Sequence, residues 1–318
     1  MIFDSRAMIS FDNISQMKLL IIFVLVAAAT SALSQPCVDV AKQVKPELSV
    51  EAARTYEANL AVARESYNKN PNVPEELIWY GRRVAYTGEY KEAIKIFTDG
   101  VKKFPNDARM YRHRGHRYIS LRCFDDAIRD FETAAKLIKG KPDQVEPDGL
   151  PNARNIPTST LQSNIWYHLG LAYYLNGDFK KAGKAYVEAQ KVSKNNDMLV
   201  ATVYWRYMTL RRSGKTKEAK RLLDSLPKDL DVIENEDYLK LIKLNRGDER
   251  PENLLSTIQG DANTLGSASL GYGIGNYFLY NGDREKATAV FRKIVEGSQW
   301  SSFGYIAAEV DLARQPVK

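Results

Sequence analysis

One alanine-centred pattern returns along the chain at a fixed distance. "GEYKEAIKIF" from Gly88 and "RCFDDAIRDF" from Arg122 each set an aromatic three residues before an Ala and a Phe four after it. Their alanines, Ala93 and Ala127, stand 34 residues apart. The pattern comes back as "GDFKKAGKAY" around Ala182, "GKTKEAKRLL" around Ala219 and "GDREKATAVF" around Ala287. Ala219 and Ala287 are 68 apart, so one degenerate unit fits between them, around "RGDERPENLLSTI". A period of this size means a stack of small units, none of which can bury its apolar face alone.

Two spacings break the period. Ala182 to Ala219 is 37 residues, a short insertion after "KVSKNND". Ala127 to Ala182 is 55, and the excess is "KGKPDQVEPDGLPNARNIPTST", with four prolines and two glycines. Pro142, Pro147, Pro151 and Pro157 exclude a helix there. A loop this long, at about 139–160, is expected to be functional or disordered. Its apolar Val145, Leu150 and Ile156 argue for packing on the repeats.

The units resemble the tetratricopeptide repeat, a helix A–turn–helix B unit with a 34-residue period. The third is nearest to the family pattern, with Trp166, Leu169, Gly170, Tyr173, Ala182, Tyr186 and Ala189. The first offers Gly81, Ala93, Phe97 and Pro105, and the second Tyr111, Gly115, Tyr118, Ala127, Phe131 and Ala134. The sixth has Gly275, Phe278, Ala287 and Phe291. The first unit departs from the pattern at Gly100, where Ala is usual. In the fourth, Tyr207 replaces the packing glycine, so that hairpin should pack less closely. The stretch "DGLPNARNIPTSTLQSNIWYHLGLAYY" also resembles a group of exported bacterial members of the family. The resemblance implies an all-α, right-handed superhelical solenoid of about six hairpins over 49–318. Val50 to Asn68 should open the stack and Ser301 to Arg314 should cap it.

The resemblance also implies which residues face the concave groove. In the second unit these are Arg109, Arg112, His116, Ile119 and Ser120, within the acid-free stretch "RMYRHRGHRYISLR". Arg82 and Tyr86 precede them in the first unit; Asn164, Tyr167 and Tyr174 follow in the third. Tyr204, Arg211 and Arg212 come from the fourth, and Tyr272, Asn276 and Tyr280 from the sixth. Arginine forks grip carboxylates in bidentate fashion, and tyrosines add rigid amphipathic area. This mixture suits an acidic or C-terminal peptide. Helical spacing puts Arg112 and His116 away from the buried face, and protonation of His116 below about pH 6.5 should strengthen anion binding. Arg114 takes a place where the family has Leu; half-buried, it needs an acid, Asp126 or Asp130.

Other chemistry finds less support. His113, His116 and His168 have spacings that suit zinc, as in a metal-bearing enzyme or accessory subunit, but Arg112, Arg114 and Arg117 around them repel a cation. No nucleophile motif or carboxylate pair stands out, so neither catalysis nor a cofactor is expected. "GYGIGN" from Gly271 falls inside a helix and not after a strand, against a phosphate loop. A small-molecule receptor closed by the 139–160 loop is a further alternative.

The N-terminus reads as an export signal. Met17-Lys18 precedes the apolar run Leu19 to Ala29, and Ala32-Leu33-Ser34 predicts cleavage before Gln35. Leu19 to Leu33 is shorter than the roughly 20 residues of a spanning helix, so no stable membrane anchor is expected after cleavage. Segment 1–34 is thus assigned to leader and signal peptide and 35–48 to a flexible arm. The protein should be periplasmic or secreted. The net charge of +7 then points to an acidic protein or peptide partner and, in that compartment, away from nucleic acid. Export permits a bridge between Cys37 and Cys123, although two unpaired thiols are the expectation from sequence alone. The expected function is a non-catalytic interaction scaffold.

Overall fold

The computed structural model describes residues 36–147, 149–260 and 265–314, so the expected export signal lies outside the described residues. Residues 36–40 carry a single helical turn, Cys37–Val40. Both cysteines are disulfide-bonded, which corrects the expectation of free thiols. From Ala41 onward the described chain is helices and loops, with one isolated bridge between Val145 and Thr160.

The helices pair as the period demands. An opening helix α1 (Val50–Lys69) precedes α2 (Pro74–Tyr86) and α3 (Tyr90–Lys103), then α4 (Ala108–Ser120) and α5 (Phe124–Ile138). After the loop come α6 (Leu161–Asn176) and α7 (Phe179–Val192), α8 (Asn196–Arg212) and α9 (Thr216–Asp224). The degenerate unit is α10 (Glu236–Arg246) and α11 (Pro251–Gly260); α12 (Leu265–Tyr280) and α13 (Arg284–Val295) form the sixth. From α1 to α10, and again from α11 to α14, each helix packs on its sequence neighbour, which gives an all-α repeat solenoid. The last helix is α14 (Phe303–Ala313).

The repeat residues act through close approach. In four hairpins a glycine on helix A faces an aromatic on helix B: Gly81 on Phe97, Gly115 on Phe131, Gly170 on Tyr186 and Gly275 on Phe291. A Cβ on Gly170 would lie 2.7 Å from the Tyr186 ring, which is fully buried. Gly170→Leu is therefore expected to cost at least the 1–3 kcal/mol of ordinary overpacking. A wild-type urea midpoint in that variant would refute this packing account. In the fourth hairpin Tyr207 bonds Asn245 of α10 at 2.8 Å, and Leu223 stands in the aromatic's place on a nine-residue α9.

The turns between paired helices need a left-handed residue, and five of the six have glycine: Gly88, Gly177, Gly214, Gly247 and Gly282. The second hairpin has Arg122 instead, at φ 64°. For a residue with a Cβ this conformation costs roughly 1–2 kcal/mol. The segment after residue 40 is not a free arm: Gln43 accepts from the Lys91 amide at 2.9 Å, and Lys45 pairs with Glu89 at 2.5 Å.

Candidate binding channel

The A helices α2, α4, α6, α8 and α12 carry the residues assigned to the groove. They do not line an open groove. Three observations show how it is filled.

First, A helices of different units touch directly. The Tyr174 and Tyr272 hydroxyls lie 2.9 Å apart, joining α6 to α12. Trp205 of α8 stacks on Tyr272 at 5.8 Å, and Tyr204 donates to the Gly273 carbonyl at 3.3 Å. Arg211 donates to the Tyr280 carbonyl at 2.8 Å. Tyr167 meets Tyr238 of α10, and Asn164 donates to Ser159 at 3.0 Å. Tyr174, Tyr204, Tyr272 and Asn276 are accordingly buried, and Asn164 and Tyr167 nearly so.

Second, α14 does more than cap the stack. It lies along the A helices. Phe303 packs against the neighbouring rings of His116 and His168, with centroids 5.3 and 5.4 Å away. Glu309 pairs with Arg122 at 2.7 Å, and the Arg122 guanidinium lies 3.8 Å from the Trp300 ring centroid. Asp311 pairs with Arg212 and accepts from the Tyr272 hydroxyl at 2.8 Å. Burial raises the Asp311 pKa above the usual carboxylate value, against the pull of Arg212. Arg212 also bonds Asn276, and Arg314 donates to the Leu175 carbonyl at 2.6 Å.

Third, the 139–160 loop covers the first two units. Glu146, itself buried, pairs with Arg112 at 2.7 Å, and Arg83 donates to the Gly149 carbonyl at 3.0 Å. At its far end Arg154 pairs with Asp231, while Asn152 and Thr158 bond Glu234. The loop is held by these polar contacts. Val145, Leu150 and Ile156, expected to pack, are all at least half exposed.

This changes the placement of the basic helix α4. Arg112 is only 7 % exposed and His113 5 %, because loop and α14 cover the face that the helical wheel assigns to solvent. His116 is half-buried. Arg109 is held apart, with its own N-cap Asp107 and with Glu75 at 2.7 Å. Arg114 forms a bidentate pair with Asp130, both bonds 2.7 Å, as its position requires.

The electrostatics follow from burial. His113 and His116 are held well below the ordinary histidine pKa, by desolvation first and then by Arg112 and Arg117 respectively. His168 is pushed down to about 3 by desolvation and Arg112. His116 therefore stays neutral at pH 6.5, and the expected gain in anion binding on its protonation is corrected. Arg112 donates to Nδ1 of His113 at 3.1 Å, and His168 Nδ1–H donates to the Asn164 carbonyl at 2.6 Å. Among the described residues the three histidines form no common donor set for a metal.

A small cavity of about 90 Å³ opens between Arg82, Tyr86, Arg112, His113, His116 and Arg117. Arg82 donates to the Tyr86 hydroxyl at 3.3 Å and lies 4.3 Å from the Trp79 ring centroid. Desolvation lowers Arg117 to about 10. Sequence reasoning missed Glu146, Glu309 and Asp311, and took Arg117 only as a charge that repels a metal. Only Arg122 carried a local signal, as the single non-glycine at its turn position.

Comparison with known proteins agrees with this architecture. The tetratricopeptide repeat family model matches residues 163–196, the α6–α7 hairpin. The Hsp70-Hsp90 organising protein of Plasmodium falciparum is 26 % identical over 190 residues, covering 60 % of this chain. The match spans 64 % of that protein's length, under two thirds. Among solved structures, the APC/C hetero-tetramer Cut9-Hcn1 matches with a TM-score of 0.50 at 13 % identity, over 81 % of this chain and 46 % of that one. A tetratricopeptide repeat protein from Parabacteroides merdae matches at 14 % identity and a TM-score of 0.45, over 83 % and 92 % of the two chains.

Proposed function

Because this chain is a tetratricopeptide-repeat protein, we propose that it is an exported, non-catalytic interaction module that takes an acidic protein segment along its A helices. The seating of α14 carries this reading. Its carboxylates Glu309 and Asp311 dock on Arg122 and Arg212, so the channel already holds an acid-bearing helix in cis. A partner helix of similar character would use the same arginines, by the charge-assisted bonding that arginine forks favour. The likeness to a chaperone-organising protein supports a protein partner. The two disulfide-bonded cysteines support an oxidising compartment, in line with the apolar run at 19–29. In this reading α14 is the competitor that a partner displaces.

The test uses the full chain with α14 loosened. Gly304 packs so closely on α12 that a Cβ there would lie 2.2 Å from the Ala268 carbonyl oxygen. Gly304→Leu should therefore lift α14 while leaving the repeats folded. Amphipathic acidic helical peptides, followed by fluorescence anisotropy, should bind this variant at least tenfold more tightly than wild type, and salt should weaken the binding. Adding Arg122→Ala should reverse the gain. Equal binding to wild type and Gly304→Leu, or binding indifferent to salt, refutes the proposal.

A further inference from the structure

The cavity beside α4 holds more positive charge than its surroundings offset. Three guanidinium groups border it, those of Arg82, Arg112 and Arg117. Arg82 and Arg112 are buried and Arg117 half-buried. The carboxylate in the cluster is Glu146, and its Oε1 is engaged by Arg112. Glu146 Oε2 and Arg112 Nε are both buried without a hydrogen-bond partner. Among the described residues the Arg117 guanidinium has no carboxylate or hydrogen-bond partner; it lies 5.9 Å from the Tyr90 ring centroid. Both flanking histidines are neutral and add none of the missing negative charge. Three guanidinium groups thus stand against one carboxylate, and a negative charge placed among them would be favoured.

Size and donor chemistry narrow what that anion is. A cavity of about 90 Å³ has room for one central atom with its oxygens. Its polar lining consists mainly of donors: guanidinium N–H groups, the Tyr86 hydroxyl and imidazole N–H. That set suits an acceptor with oxygens on several sides, whereas a planar carboxylate fills one arginine fork. We propose that this cavity is a binding site for a free tetrahedral oxyanion, inorganic phosphate or sulfate, gripped by Arg82 and Arg117 and bounded by Arg112. This goes beyond the peptide reading and does not depend on it, since Arg122 and Arg212, the arginines that α14 engages there, do not border the cavity. The ion would neutralise the face of α4 on which the 139–160 loop rests.

The experiment titrates the full-length chain with inorganic phosphate and, separately, with sulfate, against sodium chloride at equal ionic strength. Calorimetry should show a saturable site in both titrations. Arg117→Gln should weaken it at least tenfold, and so should Arg82→Gln, each losing a charge-assisted bond. The melting temperatures should cross over. In chloride alone Arg117→Gln should melt at or above wild type, because an unpaired charge is gone; in saturating phosphate it should melt below. Binding to the folded state alone raises the melting temperature as ligand is added, whereas generic salting-out stabilises all variants alike without saturation. A second readout uses wild type only: the imidazole signals of His113 and His116 should shift saturably with phosphate. Non-saturating heats, an equal effect in wild type and both variants, or unmoved histidine signals each overturn the proposal. A variant that melts below wild type in chloride as well as in phosphate assigns Arg117 to packing and overturns its role.

Discussion

Replacing Asp311 by Ala should cost about 3–5 kcal/mol, the usual loss when one partner of a buried ion pair is removed. Asp311 is buried on α14, where it accepts from both Arg212 and the Tyr272 hydroxyl. Without it Arg212 keeps Asn276 as its other side-chain partner and faces an interior of tyrosines. The pair itself contributes far less, because burying both ions also costs desolvation. The double replacement Arg212→Met with Asp311→Leu should therefore recover most of the stability. Urea unfolding of the two variants checks both halves. An unchanged midpoint for Asp311→Ala, or a double variant as weak as the single one, refutes this account of how α14 is held.

Acid should unfold the protein earlier than its carboxylates alone would require. His113, His116 and His168 all have folded pKa values below the ordinary 6.5, His168 at about 3. Between those folded values and 6.5 the unfolded chain binds protons that the folded chain refuses. Stability is therefore full above about 6.5 and falls as pH drops below it, the sign that linkage gives for a depressed histidine. Each histidine contributes up to about 1.4 kcal/mol per pH unit in that window, so three together approach about 4 kcal/mol per unit. Urea midpoints measured from pH 7 to pH 5 should fall steeply, and His168→Gln should flatten the slope. A midpoint constant down to pH 5 would show that the imidazoles are hydrated.

The repeats were legible in the sequence because their signals are local. Ala182, Gly170 and Tyr186 mark one hairpin whose helices meet, and a change at any of them is felt within the same 34-residue unit. Arg114 was legible for the same reason, since its partner Asp130 lies on the facing helix of its own hairpin. The channel was not. The helical wheel sets Arg112 on the free face of α4, which is right for a lone hairpin. What covers that face is Glu146 from an insertion and Phe303 from the far end of the chain. Neither contact leaves a trace in the spacing of Arg112, His113 and His116. The inward tyrosines posed the same difficulty: Tyr174, Tyr204 and Tyr272 have the spacing of groove residues, but their surroundings are set by how tightly successive units coil. Val145, Leu150 and Ile156 failed the opposite way, since the loop is held by polar groups and its apolar residues stay outside.

The bond between Arg122 and Glu309 joins positions 187 residues apart in a fold whose helices pack chiefly on their sequence neighbours. An open repeat array behaves as a one-dimensional chain, in which folding can start anywhere and end units fray independently. Joining the second hairpin to the last helix turns that chain into a closed ring. Closure has to wait until the intervening hairpins exist, so it comes late, with the high contact order that slows folding. Once it has formed, neither the second hairpin nor the last helix can open without breaking the seam between them. The left-handed turn at Arg122 is the backbone strain that this seam carries, and its return is an array that unfolds as one unit instead of peeling from its ends.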